Sequence, residues 1–195
     1  MDDAAVEPGS VSCRAVTAEN LTDLLDLFGE QGASGGCWCM FWRIRRAEFE
    51  RNGNAGNRAA FLGLLERGKV PGILAYDGGS PVGWCSVAPR EDFGSLERSS
   101  SYRRLDQTPV WSVTCFYVPA AARHRGLAVA LLRGAVEHVR AAGGQVVEGY
   151  PAPRASEAAY MGTVPIFVEA GFRRAGGDER HPVYRHELTG AEPTG

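Results

Sequence analysis

The turn Val118-Pro-Ala-Ala-Ala-Arg-His-Arg-Gly-Leu-Ala128 has the residues needed to hold a pyrophosphate at a helix start. The first amides of a helix have no intrahelical partner and sit at the positive end of its dipole, so they accept phosphate oxygens well. Gly126 and Ala128 are small enough to let a diphosphate approach the backbone, and Arg123 and Arg125 add cationic side chains. Two rival phosphate patterns do not occur: there is no Gly-x-x-x-x-Gly-Lys-Ser/Thr, and no Gly-x-Gly-x-x-Gly follows a strand. Alone, Arg-His-Arg-Gly could equally open an ordinary surface helix. The elements on either side decide between the two.

A strongly β-prone run, 110–118, precedes the turn, and a long amphipathic helix follows it. That helix puts Ala128, Leu131, Leu132, Ala135, Val136, Val139 and Ala142 on one face and stops at Gly143-Gly144. Upstream, 12–16 reads as a strand, and Thr17 caps a helix whose apolar face is Leu21, Leu24, Leu25 and Phe28. Gly29, Gly32, Gly35 and Gly36 break it. The aromatic segment Cys37-Trp-Cys-Met-Phe-Trp42 leads into a basic and acidic helical stretch, with a second helix over about 57–67. Strands at 72–76 and 81–87 are joined by the hairpin turn Asp77-Gly-Gly-Ser80. The polar stretch 90–108 is too long for a hairpin connection and reads as a functional loop. A strand at 145–150, a helix at 163–170 and a strand at 183–188 complete an α/β pattern with a mixed sheet.

Composition narrows the class. A chain of 195 residues with 44% hydrophobic and 23% charged residues suits one domain, 11–188, with frayed tails at 1–10 and 189–195. The net charge of -2 argues against bulk attraction to nucleic acid. The acidic first residues are no secretory signal, no apolar run is long enough for a bilayer, and five cysteines are an odd set. A soluble, reduced, cytoplasmic protein is expected. Cys37 and Cys39 have one residue between them and no second Cys/His pair nearby, so no metal is expected.

Arg123-x-x-Gly126-x-Ala128, between its strand and its helix, resembles the Arg/Gln-x-x-Gly-x-Gly/Ala motif of the GNAT N-acetyltransferase superfamily. The order of elements from about Ser12 to Leu188 is similar to that family, and Glu169-Ala-Gly-Phe172 resembles its Tyr-Glu-x-x-Gly-Phe segment. The resemblance implies a GNAT-like fold: a mixed, mostly antiparallel sheet, splayed at the central parallel strand pair and flanked by helices. It implies acetyl-CoA as co-substrate, lying in the splay. Backbone groups of Phe116, Tyr117 and Val118 would bond the pantetheine arm, with the amides of Arg123, His124, Arg125, Gly126, Leu127 and Ala128 on the pyrophosphate and Tyr160 and Phe167 beside the cofactor. The reaction implied is direct attack of an amine on the thioester in a ternary complex.

The usual catalytic pair of that family is missing. Where relatives carry a glutamate on the central strand this chain has Ser112, and where they carry a tyrosine acid it has Phe167. The substitutes are Tyr160, whose phenol could reach the thioester sulfur, and Glu148, a base acting directly or through water. Strand alternation puts Glu148 and Tyr150 on one face at the opening of the sheet. His124 has the right type of pKa for a base, but its place in the pyrophosphate turn favours a solvated role. In the GNAT fold the connection between the first two helices lines the acceptor site, which makes Trp38, Met40, Phe41 and Trp42, with Tyr150, the acceptor wall. Arg90, Glu91 and Asp92 form a second candidate wall, whose carboxylates could attract a cationic amine.

The expected partner is a small-molecule amine, with no nucleic acid and no membrane, and with a homodimer as an option. Three rivals stay open: acetylation of protein N-termini or lysines, a CoA-binding module that has lost catalysis, and a nucleic-acid or partner-binding domain resting on Arg43-Ile-Arg-Arg46.

Overall fold

The computed structural model describes residues 11–153 and 159–188. The two expected tails lie outside them. Seven strands build one sheet in the order β1-β2-β3-β4-β5-β7-β6. These are β1 Ser12–Ala15, β2 Gly72–Asp77, β3 Ser80–Pro89, β4 Trp111–Tyr117, β5 Val146–Gly149, β6 Arg173–Gly177 and β7 Pro182–Glu187. Every neighbouring pair is antiparallel except β4 and β5. The helices are α1 Leu21–Phe28, α2 Arg46–Glu66, α3 Gly94–Glu97, α4 Leu127–Ala141 and α5 Val164–Glu169. None is long and apolar enough to cross a membrane.

Two local differences from the sequence reading have simple causes. The basic and acidic stretch and the helix after it are continuous in α2, but Gly53, at φ 55°, kinks it. β6, Arg-Arg-Ala-Gly-Gly, was not expected, because its side chains face solvent and it has no apolar alternation.

The sheet has two covered faces. On one, α4 packs Val129, Leu131, Leu132, Ala135, Val136 and Val139 against Ile73, Cys85, Val87 and Val113. Each such aliphatic side chain contributes about 1.5–3 kcal/mol by leaving water. On the other, α1 and the loop after it bring Leu24, Phe28 and Trp38 against Leu74, Tyr76 and Trp84, with Phe61 of α2. Thr17 caps a short turn ahead of α1: its hydroxyl accepts from the Glu19 N–H at 3.3 Å while Asn20 accepts from the Thr17 N–H at 2.8 Å.

β4 is the strand that sets up a site. Ser86 pairs with Cys115 but Val87 pairs with Val113, so Thr114 is an extra residue on β4, a β-bulge. The bulge reverses the alternation of side chains. Val113 and Phe116 both pack on the α4 face, whereas Cys115 and Tyr117 pack on the α1 face. β5 pairs with β4 only at Trp111, Ser112 and Val113, because β5 ends at Gly149 and Pro151 has no N–H to continue a ladder. The edge of β4 from Thr114 to Tyr117 therefore has no strand partner on the β5 side. This is the splay.

Candidate functional site

Below the splay the chain turns through Ala120–Ala122 and then through Arg123 to Gly126, with His124 and Gly126 at φ 62° and 73°. α4 starts only at Leu127, so residues 123–126 precede the helix rather than form its first turn. Arg123 N–H reaches the Ala120 carbonyl at 3.3 Å, and the next N–H bonded to a backbone carbonyl is that of Ala130, to Gly126 at 3.0 Å. The amides from His124 to Ala128 are left without a backbone acceptor at the positive end of the α4 dipole. They border a cavity of about 290 Å³ with Val118, Arg123, His124, Gly126 and Ala128 on its wall. Arg123 Nε donates to the Val118 carbonyl at 3.1 Å, leaving its other N–H groups for a ligand. Arg125 reaches the other way, to Asp77 at 2.5 Å. Leu127 is buried in the core and offers only its amide.

At the upper end of β4 lies a cavity of about 390 Å³ lined by Cys37, Cys39, Phe41, Cys115, Phe116, Tyr117 and Tyr160. Phe116, Tyr117 and Val118 thus run from this cavity to the one at the turn, along the edge that has no strand partner. Phe167 does not join them. It is fully buried and lies so flat on Gly149 that a Cβ there would come within 2.1 Å of its ring. Its expected contact with a cofactor is corrected to a core role, closing the floor of the splay against Phe116, Phe172 and Tyr184.

Tyr160 stands where two cavities meet. It lines the one just described and also a second, of about 410 Å³, walled by Phe41, Trp42, Tyr102, Tyr150 and Met161. It is 38% exposed. Burial of its surroundings pushes its phenol up to about 12, so it carries its proton throughout the neutral range.

Glu148 has a different setting from the one expected of a base. It is 1% exposed and lines neither cavity. Oε1 accepts from Arg90 at 2.7 Å and from the Tyr150 hydroxyl at 2.7 Å, and Oε2 accepts from Arg185 at 2.8 Å. A carboxylate held by two guanidinium groups has no lone pair aimed at a substrate, so it is corrected to a structural anion. Arg90 is equally buried and also binds Glu97 at 2.7 Å and the Tyr102 carbonyl at 2.5 Å. It ties the 90–108 loop to β5. Burial opposes its charge, but the carboxylates of Glu148 and Glu97 hold the guanidinium above its ordinary value. Removing one member of such a pair strands the other in the interior. Arg90→Ala should lower the unfolding free energy by about 3–5 kcal/mol in a urea titration.

Tyr150 presents its ring to the second cavity while its hydroxyl is held by Arg90, Glu148 and, at 2.8 Å, Ser112. Burial first, and then the Glu148 charge, raise that phenol well above its ordinary value. Ser112 is therefore a hydrogen-bond partner in the network, with no access to either cavity.

The acceptor wall divides. Phe41 and Trp42 line the second cavity, but Trp38 and Met40 are 2% exposed and belong to the core. Trp38 packs on Phe28 and Phe61 and donates to Asn54 at 2.6 Å. Trp38 and Cys39 both have positive φ, 47° and 51°, which turns successive side chains in directions that no simple period predicts. The acids of the 90–108 loop face elsewhere: Glu91 pairs with Arg104 at 2.6 Å and Asp92 with Lys69 at 3.1 Å. Sequence reasoning missed Tyr102, Arg180 and His181, which complete the second cavity. The last two sit in the turn between β6 and β7, and the missing signal was β6 itself. Among the described residues, no three His, Cys, Asp or Glu side chains gather as metal ligands.

The profile of the acetyltransferase (GNAT) family matches residues 38–160. No curated protein matches the chain. Among solved structures, the PaiA N-acetyltransferase of Thermoplasma acidophilum in complex with coenzyme A is similar at 11% identity and a TM-score of 0.52, over 92% of this chain and 99% of that one. The aminoglycoside acetyltransferase AAC(6')-Ib, in complex with coenzyme A and kanamycin, is similar at 17% identity and a TM-score of 0.54, over 91% and 95%. A ribosomal-protein-alanine N-acetyltransferase of Brucella melitensis is similar at 20% identity and a TM-score of 0.52, over 91% and 99%.

Proposed function

The chain belongs to the acetyltransferase (GNAT) family, and from that premise we propose that it moves an acetyl group from acetyl-CoA to a primary amine of a small molecule within one ternary complex. The observation that carries this reading is the line from the open amides of His124 to Ala128, along the unpaired edge of β4, to the Tyr160 phenol. Acetyl-CoA supplies the acetyl group already activated as a thioester.

The turn amides and Arg123 hold the pyrophosphate. The edge of β4 at Phe116 and Tyr117 bonds the pantetheine and orients the reacting carbonyl, and a donor there stabilises negative charge on its oxygen. Holding both reactants in place removes much of the entropic cost of their encounter. Tyr160 gives its proton to the sulfur as the carbon–sulfur bond breaks and the nitrogen–carbon bond forms. None of the residues described as lining the two upper cavities is an aspartate or glutamate, which leaves His181 or water to take the proton from the amine. Phe41 and Trp42 hold the acceptor body against Tyr102.

The test pairs titration calorimetry with acetyl-CoA and a thiol-release assay over a panel of small amines. Binding in the micromolar range together with amine-dependent thiol release is expected. Binding without thiol release from any amine would replace this reading with that of a CoA-binding module.

A further inference from the structure

We infer that the acceptor is an amine that also carries a carboxylate on an apolar or aromatic body, held by Arg180, and not a polycation. This rests on the reading above and names the substrate class of the same site. The second cavity, about 410 Å³, is large enough for an aromatic amino acid and is built of rings: Phe41 meets Trp42 edge-on at 5.1 Å, Trp42 meets Tyr102 at 5.8 Å, and Tyr102 meets Tyr150 at 5.0 Å. Its polar lining is rich in donors. Arg180 and His181 supply cationic or neutral N–H groups, and Ser99 and Ser101 supply hydroxyls.

One more donor lacks an acceptor. Trp42 Nε1 is shielded from water, near the Tyr160 phenol but without hydrogen-bond geometry to it or to any described group. A buried N–H left unpaired costs free energy, so a ligand oxygen placed there is favoured.

No carboxylate among the described lining residues offsets these donors. Glu179, next to Arg180, is exposed and does not line the cavity, and the other described acids nearby are engaged. Glu97 and Glu148 hold Arg90, and Asp106 holds Arg185 at 2.6 Å. Asp178 accepts the amides of Arg180 and His181 at 2.8 and 2.7 Å and lies 3.4 Å from His181 Nδ1, which fixes the turn and sets the His181 ring edge-on to Tyr102 at 5.4 Å. The Arg180 guanidinium itself has no carboxylate partner among the described residues, and its planar fork matches a carboxylate. A polycationic acceptor would meet like charge at Arg180 and no carboxylate among the described lining residues.

The experiment compares matched amines, tryptophan with tryptamine and phenylalanine with phenethylamine, with kanamycin as the polycation. Each is measured by thiol release and, separately, by quenching of tryptophan fluorescence or saturation-transfer NMR in the presence of CoA. The carboxylate-bearing member should have at least about a tenfold higher kcat/KM, and Arg180→Ala should erase that preference, bringing the ratio between the two partners to within about twofold of one. Thiol release with no carboxylate preference, or with kanamycin preferred, would overturn the inference and leave the transferase reading standing. A preference that survives in Arg180→Ala would overturn it equally. Carboxylate-dependent binding, lost in Arg180→Ala, with no thiol release from any amine would support the site and sink the transferase reading.

Discussion

Tyr160→Phe should lower kcat by about 100-fold while changing the affinity for acetyl-CoA by less than about twofold. The substitution removes one oxygen from a side chain that is 38% exposed at the junction of two cavities, so it leaves the packing of the fold alone. What it removes is the only phenol that lines both the thioester cavity and the acceptor cavity among the described residues. A thiolate leaving without a proton is a poor product of amine attack, and a positioned acid contributes on the order of 100-fold or more. The pH profile checks that the phenol holds its proton across the working range, and the size of the loss separates this role from that of a passive wall. With its phenol pushed up to about 12, Tyr160 stays protonated as the pH rises from 6 to 10, so wild-type kcat should climb with deprotonation of the amine and show no alkaline fall in that range. The variant should keep the same shape at a lower plateau. A loss of less than about threefold would mean that water, and not Tyr160, protonates the sulfur.

Gly126→Val should weaken acetyl-CoA binding by at least about 100-fold in calorimetry, with a folded protein. Gly126 sits at φ 73°, where a side chain other than glycine costs about 1–2 kcal/mol, and more when branched at Cβ. Nothing lies within 4 Å of where its Cβ would be, so the added Cβ meets no protein atom and enters the space proposed for the diphosphate. The strain itself should lower the melting temperature by only about 2–8 °C. Gly126→Ala shares the strain without most of the bulk, and its affinity should fall between the two. Equal affinity in Gly126→Val and the parent protein would remove the pyrophosphate from this turn.

The turn was legible in the sequence because its signal is local: a β-prone run, small residues, two arginines and a periodic helix lie within about thirty consecutive positions. The splay was legible only through the family resemblance. Its physical cause, Pro151 after a four-residue β5, involves strands that meet across the sheet. The settings of Glu148 and Ser112 were not legible. Glu148 sits on a strand, as alternation required, but its partners Arg90 and Arg185 are 58 and 37 residues away. Trp38 and Met40 were misread because the loop that carries them follows no period, and its left-handed residues decide which rings go inward. Arg180 and His181 were hidden behind β6, a strand with no apolar face.

Thr114 adds one residue to β4, and everything after it depends on that count. Were Thr114 paired with β3 in a regular ladder instead of bulged, the two faces of the strand end would be exchanged. Cys115 and Tyr117 would turn towards α4 and Phe116 towards α1, although no side chain had changed its identity. Substitutions can therefore tune what the cavity holds, whereas a one-residue insertion or deletion between the bulge and Tyr117 rewrites it at once. Within a lineage of such proteins, the length of this strand should vary far less than the residues that occupy it.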